Sequence, residues 1–486
     1  MRVASDISVP HRLAQRSALS IPVADTDKKI QWGFPEIFII SQTALPAILF
    51  LPGTQGLRLP LRVAVYAMSL AGLMWLFGRR DHIKPHPAVH WLFLALACLI
   101  LMIFHPTTNT ILAGLAQTML YLSVLAPVFW APHMVKTPQR LMLLLVILFI
   151  CNGVNSVVGV LQFYSPDTFM PQEFSNVVMT QKYGLSNYTY VDSMGKLAIR
   201  PPGLFDTPGT VCAAGMFAAL LGFVFAVNMK KLSHRLGALI LGGAGVAAVY
   251  LSQVRSALLI MGGMMAVYIG ILWVIQKQRK RAILLLGIAT VIVTLLFSFT
   301  VARTGTASLR RLQALTASDP LTVYSKHRGN QLENAFSTLV PQYPLGAGLG
   351  RWGMMRVYFG DELNSDSPRI WAELQFPAWI LDGGIVLAFL YSLALLVTAL
   401  YELKISKAAN SPSLRLVTPT IVAANMGVIA LVLGFTPFTS QFGMQYWFLA
   451  GALHGVVRSS GLFTNEPIRT GKRRLQHLGR NGSRKL

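Results

Sequence analysis

A chain of 486 residues that is 53% hydrophobic and only 12% charged, with a mean hydropathy of +0.53, has too little polar side chain to cover a soluble fold of its size. Its formal net charge of +24 would fit nucleic acid if it were spread over a surface, but the basic residues sit in short segments between long apolar stretches. The charge therefore reads as membrane topology and attraction to anionic head groups, and no nucleic-acid partner is expected.

In chain order, residues 1–34 are polar, carry Pro10 and Pro22 and lack a signal-peptide core, so they read as a basic cytoplasmic tail. Apolar stretches near the roughly 20 residues needed to cross a bilayer follow at 35–52, 60–78, 88–105, 111–131, 141–163, 210–228, 236–253, 256–275, 283–301, 377–400, 416–435 and 440–457. Barrel strands would be shorter and alternating, so these predict an all-α, polytopic membrane protein of about twelve transmembrane helices. One domain spans 35–457, and the basic stretch 458–486 forms a second tail.

Lysine and arginine concentrate in both tails, in Arg79-Arg-Asp-His-Ile-Lys84, at 136–140, in Lys230-Lys-Leu-Ser-His-Arg235, in Lys277-Gln-Arg-Lys-Arg281 and at 404–415. With twelve spans all of these fall on one side, which the positive-inside rule makes cytoplasmic, both termini included. The opposite side receives two long segments, about 165–209 and 302–376. Loops of such length with aromatic and apolar content are expected to be folded and functional.

The first outward loop carries Lys182, Lys196 and Arg200-Pro-Pro-Gly-Leu-Phe-Asp-Thr-Pro208. The second holds Arg303, Arg310, Arg311, Arg328, Arg351, Arg356 and Arg369 against the one lysine, Lys326. Guanidinium presents a planar fork of donors that matches phosphate oxygens, whereas ammonium acts as a point charge. Six acidic residues in the same loop, from Asp319 to Glu373, offer a plainer role, which is to pair with those arginines. Arg255 stands apart: it lies in the very short outward turn Ser252-Gln-Val-Arg-Ser256 between two apolar helices, where a charge has no decorative explanation.

The run Gly346-Ala-Gly-Leu-Gly-Arg-Trp-Gly353 contains the letters of a dinucleotide fingerprint without a βαβ context, so it reads as a tight, exposed turn. Its functional version is a loop whose backbone N–H groups approach a bound anion. Cys98, Cys151 and Cys212 lie in or beside apolar spans with no paired spacing, and no His/Cys/Asp/Glu cluster has metal-ligand spacing. No metal and no cofactor are expected.

Taken together, these features resemble the O-antigen ligase and polymerase superfamily of bacterial envelope glycosyltransferases. The likeness is carried by Arg200 to Pro208 opening a helix, by Gln253-Val-Arg255-Ser256 at an outward helix turn, by Arg328, by Pro344-Leu-Gly-Ala-Gly-Leu-Gly350, and by Asp382-Gly383-Gly384. It covers about residues 60–400 in layout, and only these short motifs are specific. Three positions depart from the family pattern. Gly209 replaces an asparagine, Val254 replaces the serine before Arg255, and Glu373 stands where the family has its catalytic histidine.

The resemblance implies transfer of a glycan from an undecaprenyl-diphosphate carrier to a hydroxyl, at the periplasmic face of the bacterial inner membrane, without metal or nucleotide. A diphosphate leaves with negative charge, which preorganised arginines in a water-poor site would stabilise. Arg255 and Arg328 are the first candidates and Arg200 the third, with His327, Gly346, Gly348, Gly350 and Arg351 as further substrate-binding candidates. The acceptor hydroxyl needs a base. Glu373 is the candidate, since burial at the membrane boundary would raise its pKa; the competing reading pairs it with Arg369 on one helical face. His327, beside Arg328, is a weaker substitute for the base. Asp382 reads as a helix-start residue.

Loss of the histidine tilts the expectation toward polymerisation of an exopolysaccharide or O-antigen repeat, with ligation to a lipid core sugar or a protein hydroxyl as alternatives. Other envelope polysaccharide assembly proteins and membrane lipids are the expected partners. The competing class is a flippase or transporter of a lipid-linked oligosaccharide, but the sequence shows no repeat relating two halves. A structural scaffold would not need Arg255.

Overall fold

The computed structural model describes residues 32–79, 83–170, 189–191, 197–205, 210–252, 254–304 and 328–462. Each of the twelve predicted apolar stretches lies on a helix: α1 (Phe34–Ile48), α2 (Arg58–Phe77), α3 (Val89–Met102), α4 (Ile111–Leu125) running into α5 (Pro127–Met134), α6 (Pro138–Tyr164), α7 (Val211–Asn228), α8 (Leu232–Leu251), α9 (Arg255–Gly270), α10 (Arg279–Thr304), α13 (Gln375–Ala408), α14 (Pro412–Leu431) and α15 (Gln441–Ser459). Two short helices, α11 (Asn330–Asn334) and α12 (Gly353–Phe359), belong to the second long loop. Among the described residues eight helices are long and apolar enough to cross a membrane, and α1 and α3 are shorter apolar helices. The all-α expectation needs one amendment, a small antiparallel hairpin of β1 (Thr189–Val191) and β2 (Leu197–Ile199) with Thr189 opposite Ile199.

Hydrophobicity all round marks a helix for the interior, and α7 is buried along nearly its whole length. Small residues let α8 approach it backbone to backbone: a Cβ on Gly222 would stand 2.6 Å from Gly242 Cα, and one on Gly215 would stand 2.7 Å from the Gly245 carbonyl oxygen. The outer faces carry the opposite signature, with Leu101, Phe104, Leu259 and Val274 exposed where hydrocarbon would surround them.

Away from the long loops, Arg140 of α6 grips the fully buried Glu36 of α1 through two hydrogen bonds of 2.8 Å each, and donates a third to the Met134 carbonyl at 2.9 Å. The planar fork fits the carboxylate in a way lysine could not.

Helix α13 is broken. Gly383 and Gly384 leave helical geometry, Gly384 at φ 67°, so the chain forms a short helix to Asp382 and a long one from Ile385. Trp379 before the break and Tyr391 after it stack at 4.7 Å between ring centroids, and Phe438 packs on both. The kink is thereby fixed by aromatic packing on either side.

Candidate functional site

Residues 328–374 fold onto the turn 103–110 between α3 and α4. Asn109 is the central tie: its side chain donates to the Asp361 carbonyl at 2.9 Å and to Ser367 Oγ at 2.8 Å, and accepts from the Asp361 N–H at 2.6 Å. Thr107 Oγ1 donates to the Ala347 carbonyl at 2.7 Å, and Thr110 Oγ1 donates to the Phe359 carbonyl at 3.0 Å. Polar side chains in a loop of this kind satisfy backbone groups that no regular element pairs.

The run 344–350 is buried from Gly346 onward, which corrects the expectation of an exposed turn. It fits into the break of α13: the Ala347 N–H donates to the Leu381 carbonyl at 2.7 Å, and the Ile385 N–H donates to the Pro344 carbonyl at 3.0 Å. A Cβ on Gly346 would stand 3.1 Å from Gly383 Cα, one on Gly348 2.6 Å from the Thr108 nitrogen, and one on Gly350 2.4 Å from Ala113 Cβ. These glycines bring backbone close to protein, and their role is to seat the loop.

Arg351 is spent in the same way. It is buried, donates to the Pro368 carbonyl at 3.1 and 3.2 Å and to the Ala347 carbonyl at 2.8 Å, and lies over Tyr343. Arg356, also buried, donates to the Ser367 carbonyl at 2.7 Å.

Asp382 is fully buried and accepts from Tyr121 Oη at 2.7 Å, Gln117 Nε2 at 3.2 Å and Trp352 Nε1 at 2.8 Å. It is therefore no helix-start residue. It bolts the loop, through Trp352, to α4 and α13.

Glu373 occupies a different setting. Arg328 forms an ion pair with Glu373 Oε2, which also accepts from Gln331 Nε2 at 3.2 Å, while Oε1 accepts from Trp371 Nε1 at 2.8 Å. Both partners of the ion pair keep about a third of their side-chain surface open, 39% for Arg328 and 34% for Glu373. Two expectations are corrected. Arg369 does not pair with Glu373 on a helical face, because 369–374 is not helical and Arg369 lies over the Trp371 ring at 5.9 Å. Nor is the Glu373 pKa raised: burial pushes it up, but donation from Trp371 and Gln331 and the charge and hydrogen bond of Arg328 outweigh burial and hold it below the ordinary glutamate value.

Residues next to two of the sequence candidates, Ser256 beside Arg255 and Phe205 downstream of Arg200, border the stretch 431–442 between α14 and α15. The Gln375 N–H donates to the Val432 carbonyl at 3.4 Å, and Gln375 Oε1 accepts from the Phe438 N–H at 2.8 Å. A Cβ on Gly434 would stand 3.5 Å from Ser256 Oγ, so the start of α9 at Arg255 borders this stretch. Phe442 contacts Phe205 at 6.3 Å and Phe435 at 6.1 Å between centroids. Upstream of Phe205, Gly203 exchanges hydrogen bonds of 2.9 Å with Gln162 in both directions, and the Leu204 N–H donates to Asn155 Oδ1 at 2.6 Å. Arg200 is exposed at the head of this segment.

Arg255 is described in its backbone only. His327, Lys182, Lys196, Gln253, Arg310, Arg311, Lys326 and residues 206–209 lie outside the described residues, as do residues 1–31 and 463–486 of the two tails.

Sequence reasoning missed Trp371, Gln331, Gln375, Asn109 and the stretch 431–442, most of which falls within the apolar spans 416–435 and 440–457. A signal did exist for Asp382, an acid inside an apolar stretch of a chain with only 18 acidic residues. His105 was also missed. On the turn 103–110, its Nδ1 lies 3.0 Å from Thr107 Oγ1, and burial together with the Arg351 charge holds its pKa below the ordinary histidine value. Among the described residues no group of three or more His, Cys, Asp or Glu side chains could hold a metal.

No protein-family model matches the chain, and no curated protein matches its sequence.

Proposed function

We propose that this chain is a membrane glycosyltransferase that moves a glycan from a polyprenyl-diphosphate carrier to a hydroxyl, with polymerisation of repeat units as its preferred reaction. The observation that carries the reading is the half-open Arg328–Glu373 pair, set next to the segment that also borders the start of α9 at Arg255 and the 200–205 stretch. A phosphate-binding cation and a proton acceptor are thereby neighbours.

The pairing supplies its own sequence of events. A diphosphate approaching Arg328 competes with Glu373 for the guanidinium, and a carboxylate that loses a cationic partner becomes more basic. The acceptor oxygen then attacks the anomeric carbon, its proton goes to Glu373, and the sugar–phosphate C–O bond breaks with its electron pair leaving on the diphosphate. Arg328, Arg255 and Arg200 stabilise that leaving charge. Asp382, Arg351 and the glycines at 346, 348 and 350 act as positioning groups that hold the loop carrying Glu373.

In this reading about twelve helices cross a bacterial inner membrane, with both termini cytoplasmic and the Glu373 end periplasmic. The test is an in vitro reaction of purified protein with a polyprenyl-diphosphate-linked oligosaccharide, without nucleotide or metal, comparing the unaltered chain with Arg255→Ala and Glu373→Gln. Longer lipid-linked glycans that disappear in both variants support polymerisation. Transfer to a lipid core sugar or a protein hydroxyl would change the acceptor. Absence of turnover with any hydroxyl, together with lipid translocation in vesicles, would sink the proposal in favour of a flippase.

A further inference from the structure

The opposite end of the bundle holds a second cationic site. Arg415 and Val432 lie 17 residues apart along α14 and its cap, which at helical rise places Arg415 about 25 Å from the Glu373 end. There the ends of α7, α9, α10 and α14 surround a narrow pocket open to solvent, whose lining includes Asn228, Tyr268, Leu272, Gln278, Arg281 and Arg415.

Two guanidinium groups line the pocket, with no carboxylate among the lining residues. Among the described residues Arg281 has only neutral partners, Gln278 Oε1 at 3.2 Å and Asn228 Oδ1 at 3.4 Å. Arg415 donates to the Gln276 carbonyl at 3.1 Å, while its Nε and the Gln276 Nε2 are buried with no hydrogen-bond partner among the described residues. Unpaired buried donors on a cation are costly, and two like charges in one pocket add to that cost. An anion in the pocket would give the two guanidinium groups the charged acceptor that the lining does not supply.

The backbone beside the pocket is also unusual. Helix α9 ends in a wide π turn, Ile271–Ile275, and Lys277 follows at φ 55°, a left-handed conformation that a lysine rarely adopts. This turn sends Lys277, Arg279 and Lys280 outward as an exposed basic rim. Arg279 lies 5.7 Å from the ring centroid of Trp273, and Trp273 and Val274 of this turn and Ile283 and Leu284 at the start of α10 are exposed apolar side chains. Tryptophan beside basic residues at a helix end is the pattern of a membrane–water interface.

We propose that the Arg281–Arg415 pocket binds a phosphate anion, presented by the head group of an anionic phospholipid whose chains lie along the Trp273–Leu284 flank. The site is independent of the chemistry at Glu373, and its occupancy would be the same if the protein were a flippase.

The test uses the full-length protein in detergent, titrated with phosphatidylglycerol or phosphatidylcholine and read by native mass spectrometry, with inorganic phosphate as a competitor. The expected result is preferential retention of phosphatidylglycerol, weakened about tenfold or more in the Arg281→Gln/Arg415→Gln double variant, with phosphatidylcholine retained equally by both. Arg235→Gln, at the same end but outside the pocket, should leave binding unchanged. If the double variant does not fold, Arg415→Lys keeps the charge but removes Nε, and should weaken phosphatidylglycerol by a smaller factor. Equal phosphatidylglycerol binding by the unaltered chain and the folded variants overturns the proposal. Displacement of the lipid by equimolar inorganic phosphate overturns the head-group assignment in favour of a free anion.

Discussion

Two carboxylates flank the start of α13 and face opposite circumstances. Asp382 is fully buried and accepts from the neutral donors Tyr121, Gln117 and Trp352, while Glu373 is about a third open and is paired with Arg328. Neutral, closed donors suit a fixed joint, since nothing from outside can replace them. A half-open ion pair suits exchange, since a stronger anion can take the cation. The contrast separates the part of the loop that holds from the part proposed to react.

The hardest way to break the joint is Gly384→Val. Its φ of 67° and a Cβ 2.2 Å from the Pro344 carbonyl oxygen leave no room for a side chain, so a loss of about 4 kcal/mol or more is expected, read as failure to obtain folded, monodisperse protein. Recovery of a normal melting profile would mean that the 344–350 run does not need its seat in the broken helix.

Next come Glu373→Gln and Arg328→Ala, which should lower turnover by about 10²–10⁴ and 10²–10³ respectively. Because the pair is partly solvent-exposed, it contributes about 0–1 kcal/mol to stability, and the melting temperature should barely move. A large drop in melting temperature with turnover intact would reverse the assignment and make Glu373 the joint.

Asp382→Asn places an amide group among donors and should cost about 1–3 kcal/mol, seen as a lower melting temperature with turnover falling only as folded protein falls. Turnover lost in fully folded Asp382→Asn protein would count against a purely positioning role.

The smallest effect concerns pH. The folded pKa of Glu373 lies below its ordinary value of 4.5, so its contribution to stability is fully present above that value and is lost as pH falls through the lower, folded pKa. Activity that requires the ionised carboxylate should therefore decline only in that acidic window. Trp371→Phe removes one of the donors holding the pKa down and should shift the acid limb toward higher pH. An unmoved limb would place the titrating group elsewhere.

Much of this arrangement was readable along the chain. Helices at all twelve apolar stretches follow from runs of apolar residues whose backbone can be satisfied only internally, and the segments bearing Arg200, Arg255 and Arg328 stood out because charge is rare in such a chain. Other features were misread for local reasons. The glycines at 346, 348 and 350 have the composition of an exposed turn, and only the facing backbone of 107–113 and 383 makes them a buried seat. The Arg369–Glu373 spacing suits a helix, but 369–374 is not helical, and Glu373 pairs with Arg328 and Trp371 instead.

By itself the sequence determined the class of the protein, the positions of its helices and the scarcity of charge that makes each arginine informative. These are properties of one segment at a time, set by hydrophobicity and by the need to satisfy the backbone. Which charge meets which partner was decided only by the tertiary structure: Arg328 with Glu373, Asp382 with Trp352 and Tyr121, Arg415 beside Arg281 across a pocket. A pairing depends on distances between residues remote in the chain, and those are fixed when the helices pack.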